Sequence, residues 1–293
     1  MRRLAIAAAL AACGSSPGAS PDGTPPVDGA CTHAAPGQPA RVGTVGAPSS
    51  ELSGLVASAN GTVLYTLADS GNPAEVYALD ARTAGLRGTL RLTGATNVDW
   101  EDLARGPCEL GDDCIFVADT GDNRRARASV RFYAFRDEAA PGDVASVAFD
   151  VAYPDGGHDV EAVFVDPRDG EVYGIEKVEA ADPVVWRYPR AAPATAAQVA
   201  RLDLAALAGD RRVTSADVRV DACGVHLLVR TRDHLVAYEA PADEAVVELV
   251  ARAPVRMPVA DEPQGEAVAW RADGRGYFTV SEGANPTLFQ VAR

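Results

Sequence analysis

From residue 51 onwards the chain alternates short apolar runs with clusters of Gly, Asp, Pro and Asn. The runs are strand-length and the clusters are turn-formers, which is the signature of an all-β fold. Helical periodicity surfaces briefly, in "ATAAQVARLDLAAL". The runs fall into recurring groups. The first holds "SGLVASA", "VLYTLAD", "EVYALDA" and "GTLRLTG"; the second holds "EDLARG", "CIFVADT", "SVRFYAFR" and "SVAFDVAY". The third holds "EAVFVDP", "EVYGIEK", "VVWRYPR" and "QVARLDL"; the fourth holds "SADVRVD", "VHLLVRT", "HLVAYEA" and "AVVELVA". The fifth has only "EAVAWRA", "GYFTVSE" and "TLFQVAR".

The missing strand has a supplier in "ARVGTVGA", residues 40–47, ahead of the first group. An N-terminal strand that completes the last sheet closes a ring and removes a free edge. The pattern therefore predicts one five-bladed β-propeller over residues 39–293. A six-bladed ring is the rival, and no sixth group is visible.

Each group opens with a strand expected to line the central channel. Aligning the openings gives Ser53, Glu101, Glu161, Ser215 and Glu266, at intervals of 48, 60, 54 and 51 residues. Three carboxylates and two hydroxyls would converge on one axis. The second opening sits in Asp99-Trp100-Glu101-Asp102, with three carboxylates in four residues. Like charges this close cannot all stay ionised without compensation. Two readings satisfy that demand. A hard cation such as Ca2+ accepts carboxylate, hydroxyl and carbonyl oxygens in flexible geometry. Alternatively, backbone amides and neighbouring Arg side chains bond the Glu carboxylates around a wet channel. Asp102 is expected to face the other side of its strand, and Asp99 to belong to the turn at the mouth.

Second strands run antiparallel to the first, so their ends reach the same face. Those ends read Ala68-Asp69, Asp119-Thr120, Glu176-Lys177, Arg230-Thr231 and Ser281-Glu282, and nearby loops add His158, Arg211 and Arg212. Asp69, Asp119, Lys177, Arg230 and Glu282 are the candidate catalytic groups on that face, with Arg124 as a further cation.

The Ser, Glu, Glu, Ser, Glu order resembles the calcium-activated nucleotidase (apyrase) family, as does "ELSGLVASANGTVLYTLADSG". That resemblance implies a five-bladed propeller with Ca2+ held by Ser53, Glu101, Glu161, Ser215 and Glu266. The family's Asp-Asp-Arg-Thr-Gly run is here Ala68-Asp69-Ser70-Gly71-Asn72, which keeps one carboxylate and loses the Arg. The basic pair ending the third blade's second strand is here Glu176-Lys177. The calcium thus carries over better than the nucleotide chemistry. "QGEAVAWRADGRGYFTVSEGAN" resembles β-propeller phytases, which are six-bladed.

Composition narrows the partners. With 27 Lys+Arg against 41 Asp+Glu, the formal net charge of -14 argues against a nucleic-acid polymer. Arg2 and Arg3 precede a short apolar run ending Leu10-Ala11-Ala12-Cys13, which resembles a bacterial lipoprotein signal. Residues 1–12 then read as signal, Cys13 as the lipidated residue, and 13–38 as a Gly/Pro/Ser tether. The expected setting is the cell envelope, with membrane contact through the lipid alone and a monomeric domain. Four further cysteines suit an oxidising compartment. Cys108 and Cys114 bracket "CELGDDC" and are expected to pair, and Cys31 is expected to pair with Cys223. No His or Cys stands near enough in sequence to complete a zinc site.

Three function classes follow. One is a Ca2+-rigidified propeller that binds a small molecule or protein at its charged face. Another is a Ca2+-dependent phosphoester or phosphoanhydride hydrolase. A sugar-active propeller is the third, weakened by an aromatic content of 6%.

Overall fold

The computed structural model describes residues 34–48 and 50–293. The signal, Cys13, most of the tether and Cys31 lie outside the described residues, and with them the Cys31–Cys223 pairing. Strand β1 (Ala40–Thr44) comes first and blade one follows as β2 (Leu52–Ala57), β3 (Val63–Ala68), β4 (Glu75–Asp80) and β5 (Leu86–Leu92). Blade two is β6 (Trp100–Cys108), β7 (Gly111–Asp119), β8 (Ser129–Arg136) and β10 (Val147–Ala152). The short β9 (Gly142–Val144), between β8 and β10 in sequence, pairs in parallel with β5 of blade one. Blade three is β11 (Val160–Val165), β12 (Val172–Glu176), β13 (Val184–Tyr188) and β15 (Ala197–Arg201). Its β14 (Ala194–Thr195) adds in parallel to β10 of blade two. Blade four is β16 (Val213–Asp221), β17 (Gly224–Thr231), β18 (Leu235–Ala240) and β19 (Val255–Met257). Blade five is β20 (Gly265–Trp270), β21 (Gly276–Ser281) and β22 (Thr287–Ala292), completed by β1 antiparallel to β22. The chain is an all-β five-bladed β-propeller.

One detail differs from the sequence expectation. The predicted fourth strand of blade four, "AVVELVA", is a one-turn helix α1 (Val246–Val250), and β19 takes the outer-strand place. Val246, Leu249 and Val250 are buried while Val247 is exposed, which is helical spacing. "QVARLDL" supplies blade three's outer strand, as expected, through β15, and pairing with β10 and β13 overrides the brief helical periodicity of "ATAAQVARLDLAAL".

The core lies between blades. Five apolar clusters occupy the five blade interfaces, and β7 shows how one strand feeds two of them. Cys114, Phe116 and Ala118 pack toward blade three, while Ile115 and Val117 pack toward blade one. A strand buried on both faces needs apolar residues at every position, so its sequence reads as a run and not as an alternation. Burying each large side chain such as Trp100, Phe132 or Trp186 contributes about 1.5–3 kcal/mol. Cys108 and Cys114 are disulfide-bonded across the β6–β7 turn. Among the described residues no helix is long and apolar enough to cross a membrane.

Candidate functional site

All five innermost strands, β2, β6, β11, β16 and β20, carry an irregularity at the same place. Their registers shift between Ser53 and Leu55, Trp100 and Asp102, Val160 and Ala162, Val213 and Ser215, and Gly265 and Ala267. A bulge re-aims side chains that a regular strand would send to opposite faces. Superposing the bulges of blades two to five puts Glu101, Glu161, Thr214 and Glu266 in one tier, and Asp102, Ala162, Ser215 and Ala267 in the next. In blade one the shift falls one residue later, at Gly54, and Ser53 stays paired opposite Leu67. Blade four is therefore one residue out of step with the sequence alignment, and Thr214 stands where Ser215 was expected. The two adjacent hydroxyl residues make that slip invisible in sequence.

The deeper tier is closed by Asp102. Its Oδ1 accepts the Leu103 amide at 2.9 Å and the Ser215 hydroxyl at 3.2 Å. Its Oδ2 accepts the amides of Val163 at 3.0 Å and Ala216 at 3.1 Å. Ser215 Oγ in turn accepts the Val268 amide at 3.3 Å. Burial pushes the Asp102 carboxyl well up, and these bonds oppose the rise. Far from facing away from the channel, Asp102 ties blades two, three and four, and through Ser215 reaches blade five. Blade one meets it at Gly54, where an added Cβ would stand 2.8 Å from Asp102 Cα on a backbone at φ +65°.

Toward the mouth, Glu101, Asp159 and Glu161 each place a carboxylate oxygen within 4.8 Å of the others. All three are buried. The Lys177 ammonium is bonded to Glu161 Oε1. Ser53 and Thr214 are spent on the neighbouring blade: Ser53 Oγ donates to the Glu101 carbonyl, and Thr214 Oγ1 to the Gly265 carbonyl at 3.2 Å. Glu266 Oε2 is buried with no hydrogen-bond partner among the described residues. Burial, then the Glu161 charge, pushes Glu266 up to about 8. Burial lifts Glu161 to about 7 against the pull of Lys177. Glu101 is raised well above the usual range, first by burial and then by Glu161 and Asp99. Burial also raises Asp159 and Asp99. Burial works against the Lys177 charge, but the Glu161 charge and hydrogen bond together with the charges of Glu101 and Glu266 hold its pKa above the usual value.

The other predicted groups separate by role. Asp69 stands at the mouth, pushed up to about 6 by burial and by Glu51 and Glu282; Glu282 is itself raised by burial. Asp119 is buried, accepts the Asp99 amide at 3.1 Å and pairs with Arg127 at 2.8 Å, so it fixes a turn. Arg230 is buried in an ion pair with Glu262 at 2.7 Å and is not offered to the mouth. Arg124 is exposed, and Arg212 pairs with Asp210. His158 lies between Asp155, at 2.9 Å, and the buried Glu176, at 2.5 Å, which also accepts the Trp186 indole N–H at 3.0 Å.

Asp159 was missed by sequence reasoning, though a signal was present. Asp99-Trp-Glu101 and Asp159-Val-Glu161 share one spacing, and Glu51-Leu-Ser53 echoes it. An acid two positions before the bulge reaches the mouth over the ring residue.

No family model matches the chain, and no curated protein matches its sequence. Among solved structures it is similar to a glucose dehydrogenase at 10% identity, TM-score 0.52, over 88% of this chain and 100% of that one. It is also similar to the β-propeller domain of Cps50 (Swd1) from Myceliophteria thermophila, at 10% identity and TM-score 0.43, over 84% and 97% of the chains. A chain of the mitotic checkpoint complex matches at 14% identity and TM-score 0.44, over 93% and 96%. At these identities the likeness extends to fold alone.

Proposed function

We propose that the axial carboxylates form a hard-cation centre, with Ca2+ as the ion, and that the charged mouth above it binds a small-molecule or protein ligand. The observation that carries this reading is the meeting of Glu101, Asp159 and Glu161 within 4.8 Å beside the unpartnered Glu266 oxygen. Two cationic side chains, the Lys177 ammonium and the Arg232 guanidinium, face four buried carboxyl groups. Protonation or a cation must supply the rest of the compensation. An all-oxygen donor set favours Ca2+ over zinc, and its irregular spread suits Ca2+ better than octahedral Mg2+. Glu101, Asp159, Glu161 and Glu266 would hold the ion, with Ser53 and Thr214 setting the strand positions. Taken with the lipoprotein-like N-terminus, this describes an envelope-anchored binding propeller.

A second reading, a phosphoester or phosphoanhydride hydrolase, is favoured by Asp69, whose raised acidity constant suits a general base. A bound cation would supply Lewis acidity toward a phosphoryl oxygen.

Calorimetric titration of metal-stripped protein with Ca2+ tests the centre. Saturable binding that weakens at least tenfold in Glu161→Gln is the expected result. No heat of binding, or equal binding by the variant, would remove the reading. Phosphate release from nucleoside diphosphates and from phytate, with and without Ca2+, separates binder from hydrolase.

A further inference from the structure

The channel has a second mouth, on the side of the Asp102 tier away from the axial carboxylates. A cavity of about 240 Å³ opens there, and residues of all five blades line it, including Val56, Arg105, Pro167, Arg219 and Trp270. That volume suits a metabolite smaller than a drug-sized molecule.

Its chemistry is paired. Asp217 and Arg219 lie two residues apart on β16, and alternate residues share a strand face. Asp217 is buried, and its Oδ2 accepts the Trp270 amide at 2.6 Å. It forms no ion pair among the described residues; burial pushes its carboxyl up to about 7, against the Trp270 amide and the nearby charges of Arg105 and Arg219. Arg219 stacks on the Trp270 ring, its Cζ 4.7 Å from the centroid, and bonds Asp221 through Nη1. Its Nε and Nη2 are buried with no hydrogen-bond partner among the described residues. Those two nitrogens form one edge of the guanidinium, the fork that takes a carboxylate bidentately. A buried donor edge left unmade is costly, so its retention beside a cavity points to an acceptor from outside.

We propose that this mouth binds a small zwitterion of the α-amino acid type, its carboxylate on the Nε/Nη2 edge of Arg219 and its ammonium on Asp217. The mixed lining explains the choice. A simple anion would meet Asp217 at close range, and a simple cation would meet Arg105 and Arg219.

The indole N–H signal of Trp270, followed in 15N-labelled full-length protein, reads occupancy directly. Glycine and L-alanine should shift it saturably at millimolar concentrations. Acetate and methylammonium, each carrying half the recognition, should bind at least tenfold more weakly. Arg219→Lys keeps the charge and loses the fork, while Asp217→Asn keeps an acceptor for the Trp270 amide; each should weaken glycine at least tenfold. Glu161→Gln, at the opposite mouth, should leave glycine binding unchanged. The proposal is overturned if neither amino acid saturates the shift, if acetate matches glycine, or if both variants bind as the wild type does. The glycine-to-acetate ratio is read on unmodified protein, so it decides the matter even if a variant misfolds.

Discussion

Asp102 of blade two accepts the backbone N–H of Ala216 in blade four, 114 residues away, at 3.1 Å. With the Val163 amide on the same oxygen, one carboxylate satisfies amides on the innermost strands of blades three and four. Asp102→Ala orphans those amides at the centre of the molecule. We expect a loss of about 3–5 kcal/mol in chemical denaturation, with Asp102→Asn losing less because one acceptor remains. An alanine variant as stable as wild type would remove Asp102 from its structural role.

The axial carboxyls make stability depend on pH in a defined direction. Glu161 and Glu266 have ordinary values in an unfolded chain, and rise to about 7 and about 8 in the fold. Between the ordinary range and those values the native state holds protons that the unfolded state has released. Stability in chelator should therefore fall as pH rises from about 5 to about 8. Added Ca2+ should flatten that fall, because a cation replaces the protons. Calorimetric melts across this range, with chelator and with Ca2+, give the comparison; a slope indifferent to Ca2+ would contradict the cation reading.

Gly121 leaves the space in which Glu101 and Asp99 approach one another. A Cβ there would stand 2.6 Å from Asp99 Cγ and would press on Glu101 Oε1. Its backbone is outside the left-handed region, so Gly121→Ala strains the site and not the chain. The expected effect is at least a tenfold loss of Ca2+ affinity, with the melting temperature of metal-free protein little changed.

The Arg230–Glu262 pair is buried at both ends, with 1% of each side chain exposed. Glu262 Oε1 also accepts the Thr279 hydroxyl at 2.8 Å. Glu262→Ala leaves a guanidinium uncompensated between blades four and five and should cost about 3–5 kcal/mol in urea unfolding. Replacing both partners with apolar residues of similar size should cost far less. Calcium binding should survive in the double variant, since neither residue belongs to the axial cluster.

The ring was legible because propellers repeat. Strand-length runs, turn clusters and a short fifth group defined the blades, and the ends of the second strands fell where the sequence placed them. Other features had no sequence voice. Thr214 and Ser215 are interchangeable by type, and only the bulge decides which faces the mouth. "AVVELVA" is equally apolar as strand or helix, and burial of Val246, Leu249 and Val250 decides it. Asp102 was expected on the other side of its strand because its partners are amides from blades 61 and 114 residues away. Arg230 looked like a mouth cation because Glu262 lies in a loop outside the repeat.

The antiparallel pairing of β1 with β22 also sets a timetable for biosynthesis. Among the described residues β1 is the earliest strand, and its only ladder partner is the latest, β22. At about 5–20 residues per second, β1 waits roughly ten to fifty seconds before that partner exists. Four blades can form from neighbouring hairpins as they emerge, but the fifth cannot. Until then the chain carries two unclosed sheet edges, and the ring passes from open to shut in one final event.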